Sequence, residues 1–545
     1  MAAYPRPRFN AQAADSRSCA PQPIRPRDWG FGRGFLLWQM GPPQPLENLM
    51  EPKHTAFGHL LDTRAAQSLL GAALVAAAIV IAGCGGGGGD GVAPTSQASP
   101  TFTSVYAVRQ TNGATELRRS VSGNLLAVLD GGLHDTHSLM LTPDQRSAVL
   151  FGSPTSADPE AIYRLDFARP NVLVPLSQAP SGSGRVTGFE MSPDGRWVVY
   201  SGDLDIDGVQ EIYLAAVDGS EARKINGSVG SPPRVDLKLP QTAWSPDGRL
   251  VLQLVRNLSD GRVIGINQTD VTVVGGNSTR RYTIGSAESL AFIQDASWTA
   301  DSAGIVFAAR PTDAVDRVDL FAQMTPGGAL EGVAGPVLDF VAGPLGGRVL
   351  FRRDLGQGLA NLSIENFSAP SAAVHGAITS TGRVEPGYRF SPDGSAAIFI
   401  ADQGTGVFNL YSGNLSTPEP PTQLNGPMPA DTDVQQATFT PDGSRVVYRT
   451  ASTFGLATNR ESDLHVVDLA RPGRSTRLNG RVAPGGGVGS DFAVALDGSS
   501  VAYRGDLLLN EHTEFFFTPL ASPGESIGLS APIDSTQEVS AFGLR

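Results

Sequence analysis

Cysteine is nearly absent. The 545-residue chain has two, which excludes a disulfide-rich scaffold and a Cys-based zinc module. Histidine is scarce too, with seven, so a His-rich metal centre has little to draw on. Charged residues make up only 17%, and acids outnumber bases 53 to 41 for a formal charge of −12. That balance argues against nucleic acid or a bare anionic lipid surface as a partner. The one strongly apolar run, Leu69 to Ala82, falls short of the ~20 residues a membrane-crossing helix needs. No His-Glu-x-x-His and no Gly-x-x-x-x-Gly-Lys-Ser/Thr occurs, which removes the zincin and P-loop classes. In excess are 64 glycines and 40 prolines. They punctuate the whole chain and exclude a long-helix or coiled-coil protein.

The apolar run has the length of the h-region of a secretory signal peptide, with Lys53, His54 and Arg64 ahead of it,. It leads into Ile81-Ala82-Gly83-Cys84. This tetrad resembles the lipobox of bacterial lipoproteins, which implies lipidation of Cys84 and cleavage before it. Acyl chains would anchor the protein to a membrane without spanning it. The expected organisation is a signal peptide over 50–83 and a flexible Gly/Ser/Pro tether over 84–100. Residues 1–49 are read as a start-site artefact or disordered extension, with Met50 the expected start. Gly follows Cys84 where Asp would favour the inner membrane, so the expected location is the periplasmic face of the outer membrane or the cell surface.

From residue 139 onward one pattern recurs. Alternating apolar residues lead into Ser/Thr-Pro-Asp-Gly, and a β-branched or aromatic run follows. Clear copies are Thr142-Pro143-Asp144, Ser192-Pro193-Asp194-Gly195, Ser245-Pro246-Asp247-Gly248, Ser391-Pro392-Asp393-Gly394 and Thr440-Pro441-Asp442-Gly443. Thr299-Ala300-Asp301 and Leu496-Asp497-Gly498 are degenerate, and Pro344-Leu345-Gly346-Gly347 is nearly erased. In this motif Pro presets φ, Asp favours the tight turn and Gly accepts positive φ. A strand such as Trp197-Val198-Val199-Tyr200 leaves each turn, and a third such as Glu211-Ile212-Tyr213-Leu214 follows a variable loop. Eight units of roughly 50 residues, each worth four short antiparallel strands, predict an all-β fold. The expected architecture is a β-propeller over 101–545, eight-bladed with seven as the runner-up.

The repeats resemble the WD40-like (PD40) family of TolB-like proteins and of the propeller domains of prolyl oligopeptidase relatives. The resemblance rests on the Ser/Thr-Pro-Asp-Gly turns and the Tyr/Phe-Leu third strands, and it implies the fold but no one activity. A peptidase of that second group would need an α/β-hydrolase domain with a Gly-x-Ser-x-Gly elbow. About 25 residues after Leu520 leave no room for one of ~200 residues, and no such elbow is expected.

The sharpest site candidate is Asp203-Leu204-Asp205-Ile206-Asp207-Gly208-Val209-Gln210-Glu211. Carboxylates at positions one, three and five with Gly at six match the start of a calcium loop. Asp203, Asp205, Asp207 and Glu211 are therefore candidate Ca²⁺ ligands, although position twelve is Leu214 rather than Glu. His134-Asp135-Thr136-His137 reads as a solvated loop. Trp197, Trp244 and Trp298 read as packing between blades. Arg310 and Arg352-Arg353-Asp354 follow second strands, where side chains reach a loop face. No catalytic or cofactor-binding residue stands out.

The function expected from these readings is a membrane-anchored, non-enzymatic propeller that binds an envelope protein or polysaccharide, as the TolB-like resemblance implies. The alternatives are a propeller enzyme of the polysaccharide lyase or glycosidase kind, and a calcium-stabilised surface structural protein.

Overall fold

The computed structural model describes residues 103–544 except for short stretches between strands. The expected signal peptide, Cys84 and the tether lie outside the described residues. Every regular element described is a β-strand. Seven antiparallel sheets have four strands each, and one has eight. The large sheet consists of two four-stranded halves, 235–283 and 290–334, joined through the single pair Val263 and Ile293. The fold is a β-propeller.

The eight repeats each form one four-stranded unit: 135–175, 186–224, 235–283, 290–334, 337–377, 389–423, 432–477 and 488–528. We number these one to eight. One further sheet carries no turn motif. The strands Thr103–Arg109, Thr115–Val121 and Asn124–Leu129 are completed by the last strand, Glu538–Leu544, which pairs with Thr103–Arg109. The sequence count of eight omits this sheet because it is assembled from both chain ends rather than from a contiguous repeat.

The core lies between sheets, not within any one of them. Each buried cluster draws on two neighbours. Val199 and Leu214 of unit two meet Trp244 and Val251 of unit three. Tyr106 and Val108 of the closing sheet meet Phe515 and Ala502 of unit eight, and Val105 and Leu117 of the closing sheet meet Leu139 and Leu150 of unit one. Successive side chains of a strand point to opposite faces, so Val198 and Tyr200 face unit one while Val199 faces unit three. This is why second strands read as unbroken apolar runs. Each buried Val, Leu or Ile contributes about 1.5–3 kcal/mol relative to exposure. Trp244 and Trp298 are 1% and 3% exposed. Each also donates its indole N–H to a carbonyl of the preceding unit, Glu190 O at 3.2 Å and Ala243 O at 2.9 Å.

Backbone hydrogen bonds stitch six of these seams near the start of the first strand. Val186, Leu237, Val337, Val384, Val434 and Val539 donate their N–H groups to Glu160, Gln210, Val318, Ala360, Phe408 and Thr513. Those carbonyls stand at the start of third strands in the preceding unit, so one rule of contact repeats around the ring.

The recurring turns form the opposite rim. In unit two the Ser192 hydroxyl donates to Asp194 Oδ1 at 2.6 Å and accepts the Trp197 N–H at 3.0 Å. Asp194 Oδ1 also accepts the Arg196 N–H, and the Gly195 N–H returns to the Ser192 carbonyl. The fourth turn position is left-handed throughout. Gly195, Gly248, Gly394 and Gly443 have φ near +70°, and Gln145 and Ser302 take φ of 55° and 60° where glycine is missing. Sequence reasoning assigned Pro and Gly to turn geometry alone, but they also join neighbours. A Cβ at Gly195 would lie 2.2 Å from Pro143 Cδ of the preceding turn, and one at Gly443 would lie 3.3 Å from Pro392.

This separates two glycines of equal backbone strain. Gly195→Ala adds steric overlap to a left-handed φ and should lower stability by about 2–4 kcal/mol. Gly208→Ala has φ of 75° but open space around it, and should cost about 1–2 kcal/mol. Urea midpoints of the two variants check the difference.

Candidate ligand-binding face

With the turns stacked on one rim, the hairpins that join second to third strands gather on the other, beside the first-strand starts. Three units place an arginine of the second strand against a carboxylate of their own first strand: Arg256 with Asp236, Arg352 with Asp339, and Arg504 with Asp491. The Arg352 pair is bidentate, at 2.9 and 2.7 Å, and Tyr388 donates its hydroxyl to the same carboxylate at 2.9 Å. Arg352 and Arg504 also donate to the Val384 and Val539 carbonyls of the next sheet. Charge-assisted, two-pronged bonds of this kind fix geometry. These arginines therefore hold the mouth of the ring in register. Arg353, also noted in the sequence, donates to the Gly335 carbonyl at 2.9 Å.

The Asp203 hairpin joins the second and third strands of unit two on this face. Its carboxylates do not converge on one point. Asp203 accepts backbone N–H groups from Arg185 and Gly208 through its two oxygens, at 2.8 and 3.1 Å. Asp207 accepts the Ser183 hydroxyl at 2.9 Å. Asp205 and Glu211 share the Lys224 ammonium, at 2.7 and 3.0 Å. Glu211 is fully buried and also accepts the Tyr213 hydroxyl at 3.1 Å. The cation that Glu211 and Asp205 share in this structure is thus the chain's own Lys224. Among the described residues no group of three or more His, Cys, Asp or Glu is placed to hold a metal. Lys224 lies on the fourth strand, where loop spacing gives no warning of it.

His137 sits at the start of unit one, on its first strand rather than in a loop. Its Nε2 lies 3.3 Å from Glu160 Oε1 and 3.8 Å from Asp135 Oδ2, and Arg185 Nε lies 3.6 Å from Glu160. The His137 hydrogen bond holds the Glu160 carboxyl below its ordinary range.

A cleft of about 180 Å³ opens between units two and three, lined by Thr187, Ser201, Gln210, Leu237, Lys238 and Arg256. Thr187 donates to Gln210 Oε1 at 2.8 Å and shares a bond with the Ser201 hydroxyl at 3.0 Å. These groups offer hydrogen bonds and positive charge to a ligand. Asp236, which precedes the lining Leu237, is fully buried and held by Arg256.

The expectation that no Gly-x-Ser-x-Gly occurs is corrected by Gly524-Glu525-Ser526-Ile527-Gly528. The pentad is not a nucleophile elbow, because Ile527–Gly528 is the outermost strand of unit eight and the next described element is the strand Glu538–Leu544. Ser526 accepts the Gly480 N–H of unit seven and bonds the Tyr503 hydroxyl, both at 2.6 Å. It is a seam residue.

No protein-family description matches the chain, and no curated protein matches it. Solved structures similar to it include TolB from Acinetobacter baumannii, 18% identical over 49% of this chain with a TM-score of 0.27. The β-propeller domain of the Trilobed protease from Pyrococcus furiosus is 14% identical over 64% of this chain and 96% of its own, with a TM-score of 0.36. Porphyromonas gingivalis dipeptidyl peptidase 4 is 12% identical over 77% of this chain, with a TM-score of 0.42. The chain spans 62% of the TolB structure and 59% of the peptidase. None of these likenesses is of a degree at which a relative's activity transfers.

One carboxylate titrates far from its usual range. Burial pushes Glu190 up to about 7, although its Oε2 accepts the Ala243 N–H at 2.9 Å. It sits at a seam between units two and three, so its role is structural. A carboxyl whose folded pKa is raised stabilises the fold below its unfolded pKa near 4.5, and that contribution is lost as pH rises through about 7,. Glu190→Gln should therefore match the parent at pH 4 and exceed it at pH 8. The expected gain is on the order of 1–2 kcal/mol, allowing for partial exposure. Urea midpoints at the two pH values test this.

Proposed function

We propose that this chain is an exported, lipid-anchored, non-enzymatic β-propeller that holds an envelope protein or polysaccharide against its hairpin face. The observation that carries the reading is the contrast between the two rims. One is packed turn against turn, with glycine backed onto proline. The other presents hairpins of unequal length around a mouth braced by arginine–carboxylate pairs. A rigid ring with a variable loop surface is a recognition scaffold. The cleft beside Lys238 and Arg256 supports binding rather than acid–base chemistry, since no carboxylate lines it and Asp236 beside it is already paired. Cys84 as the lipidated residue supplies the anchor, and the tether over 84–100 gives the ring freedom to reach a partner. The acidic net charge supports a partner other than nucleic acid.

Photo-crosslinking in intact cells tests this reading. A photo-reactive residue replacing Leu508, on the hairpin face, should give a discrete adduct with a protein or cell-wall polymer. The same residue replacing Leu496, on the turn rim, should not. Cys84→Ser should move the protein out of the membrane fraction and weaken the adduct. Adducts from neither position, or membrane retention without Cys84, would overturn the proposal.

A further inference from the structure

Among the described residues, six of the fourteen exposed large apolar side chains share one structural position. Ile206, Leu258, Leu355, Leu359, Val407 and Leu508 are 37–67% exposed, and each stands in or beside a hairpin joining a second to a third strand. They come from five different units, 206 to 508 in sequence, yet the topology gathers them on one rim. No local packing need explains an apolar residue at so many hairpin tips, because the core lies between the sheets behind them.

The same hairpins concentrate negative charge. The loops 154–160, 203–210, 258–262, 312–318, 357–358, 402–408 and 506–513 contain ten carboxylates among their described residues against two arginines, Arg262 and Arg317. Cations from neighbouring segments offset part of this charge: Lys224 and Arg185 reach Asp205 and Glu160, Arg383 lies over Phe408, and Lys238 and Arg256 line the cleft between units two and three. Most of the other carboxylates accept neutral donors, as Asp203 and Asp402 do from backbone N–H groups. Charge-bearing loops with apolar tips on a rigid ring match a partner of opposite charge that also carries apolar anchors.

We propose that the hairpin rim docks a cationic amphipathic protein segment, with Lys or Arg side chains set against the loop carboxylates and apolar side chains set against the hairpin tips. This rests on the binding reading above and narrows it to a protein partner of stated chemistry.

The test uses the full chain in detergent and synthetic 18-residue peptides, one of Leu and Lys, one of Leu and Glu, and one of Ser and Lys. The Leu/Lys peptide should bind at least ten-fold more tightly than either of the others, with an affinity that falls as salt rises. The variant Ile206→Ser/Val407→Ser/Leu508→Ser should weaken that binding ten-fold or more. Asp313→Asn/Asp316→Asn should weaken it and flatten its salt dependence. Leu345→Ser/Leu496→Ser, on the turn rim, should leave it unchanged. Circular dichroism of each variant establishes that it is folded. Equal binding of the Leu/Lys and Ser/Lys peptides, or equal loss from the turn-rim variant, overturns the inference. Sedimentation of the same protein with isolated cell-wall polymer separates the two readings. Polymer binding without peptide binding overturns this inference and leaves the broader one standing, while binding of neither removes both.

Discussion

Everything in this structure follows from sheets that are apolar on both faces. A four-stranded sheet whose second strand alternates Val198 and Tyr200 toward one neighbour and Val199 toward the other cannot stop at an edge. It needs a sheet on either side, and so does each neighbour, until the ring closes. The last junction is made by the two chain ends, where Glu538–Leu544 adds to Thr103–Arg109. Tyr106 and Phe515 then meet across the final seam with ring centroids 5.5 Å apart. The closing strand is therefore a condition of stability, since without it unit eight and the first sheet would each leave a core face in water.

Closure also divides the surface into two unlike rims. The turn rim repeats one turn plan, with glycines such as Gly195 and Gly443 lying against the proline of the turn before. The hairpin rim is fixed behind by the Val-to-carbonyl bonds and the arginine pairs, while its loops differ in length, charge and tip residue. Rigidity behind and variety in front is the combination that binding without large ordering cost requires.

Much of the fold was legible because the Ser/Thr-Pro-Asp-Gly turn is a local signal. Its hydrogen bonds span only five residues, as from Ser192 to Trp197. Trp244 and Trp298 were also legible as packing residues, because large apolar side chains beside buried strands have few other places to go. What escaped was non-local. The closing sheet joins residues more than 400 apart. The contact of Gly195 with Pro143 spans a whole unit, and only the ring brings the two together. The Asp203 hairpin shows the limit of motif spacing at a site. Three carboxylates at the right intervals suggest calcium, yet the partner of Asp205 and Glu211 is an ammonium on the adjoining fourth strand. The pentad around Ser526 makes the same point, since its letters match an elbow but its outer-strand setting gives Ser526 a seam to hold.

The most direct test of the two-rim account is hydrogen–deuterium exchange of the full chain, resolved to peptides from each rim. Amides of the stacked turns, such as Gly195, Gly248 and Gly443, should exchange slowly and with similar protection. Hairpin amides around Ile206, Val407 and Leu508 should exchange orders of magnitude faster. Turn peptides that exchange as fast as the hairpins would contradict the claim that one rim is sealed by its neighbours and the other left free for recognition.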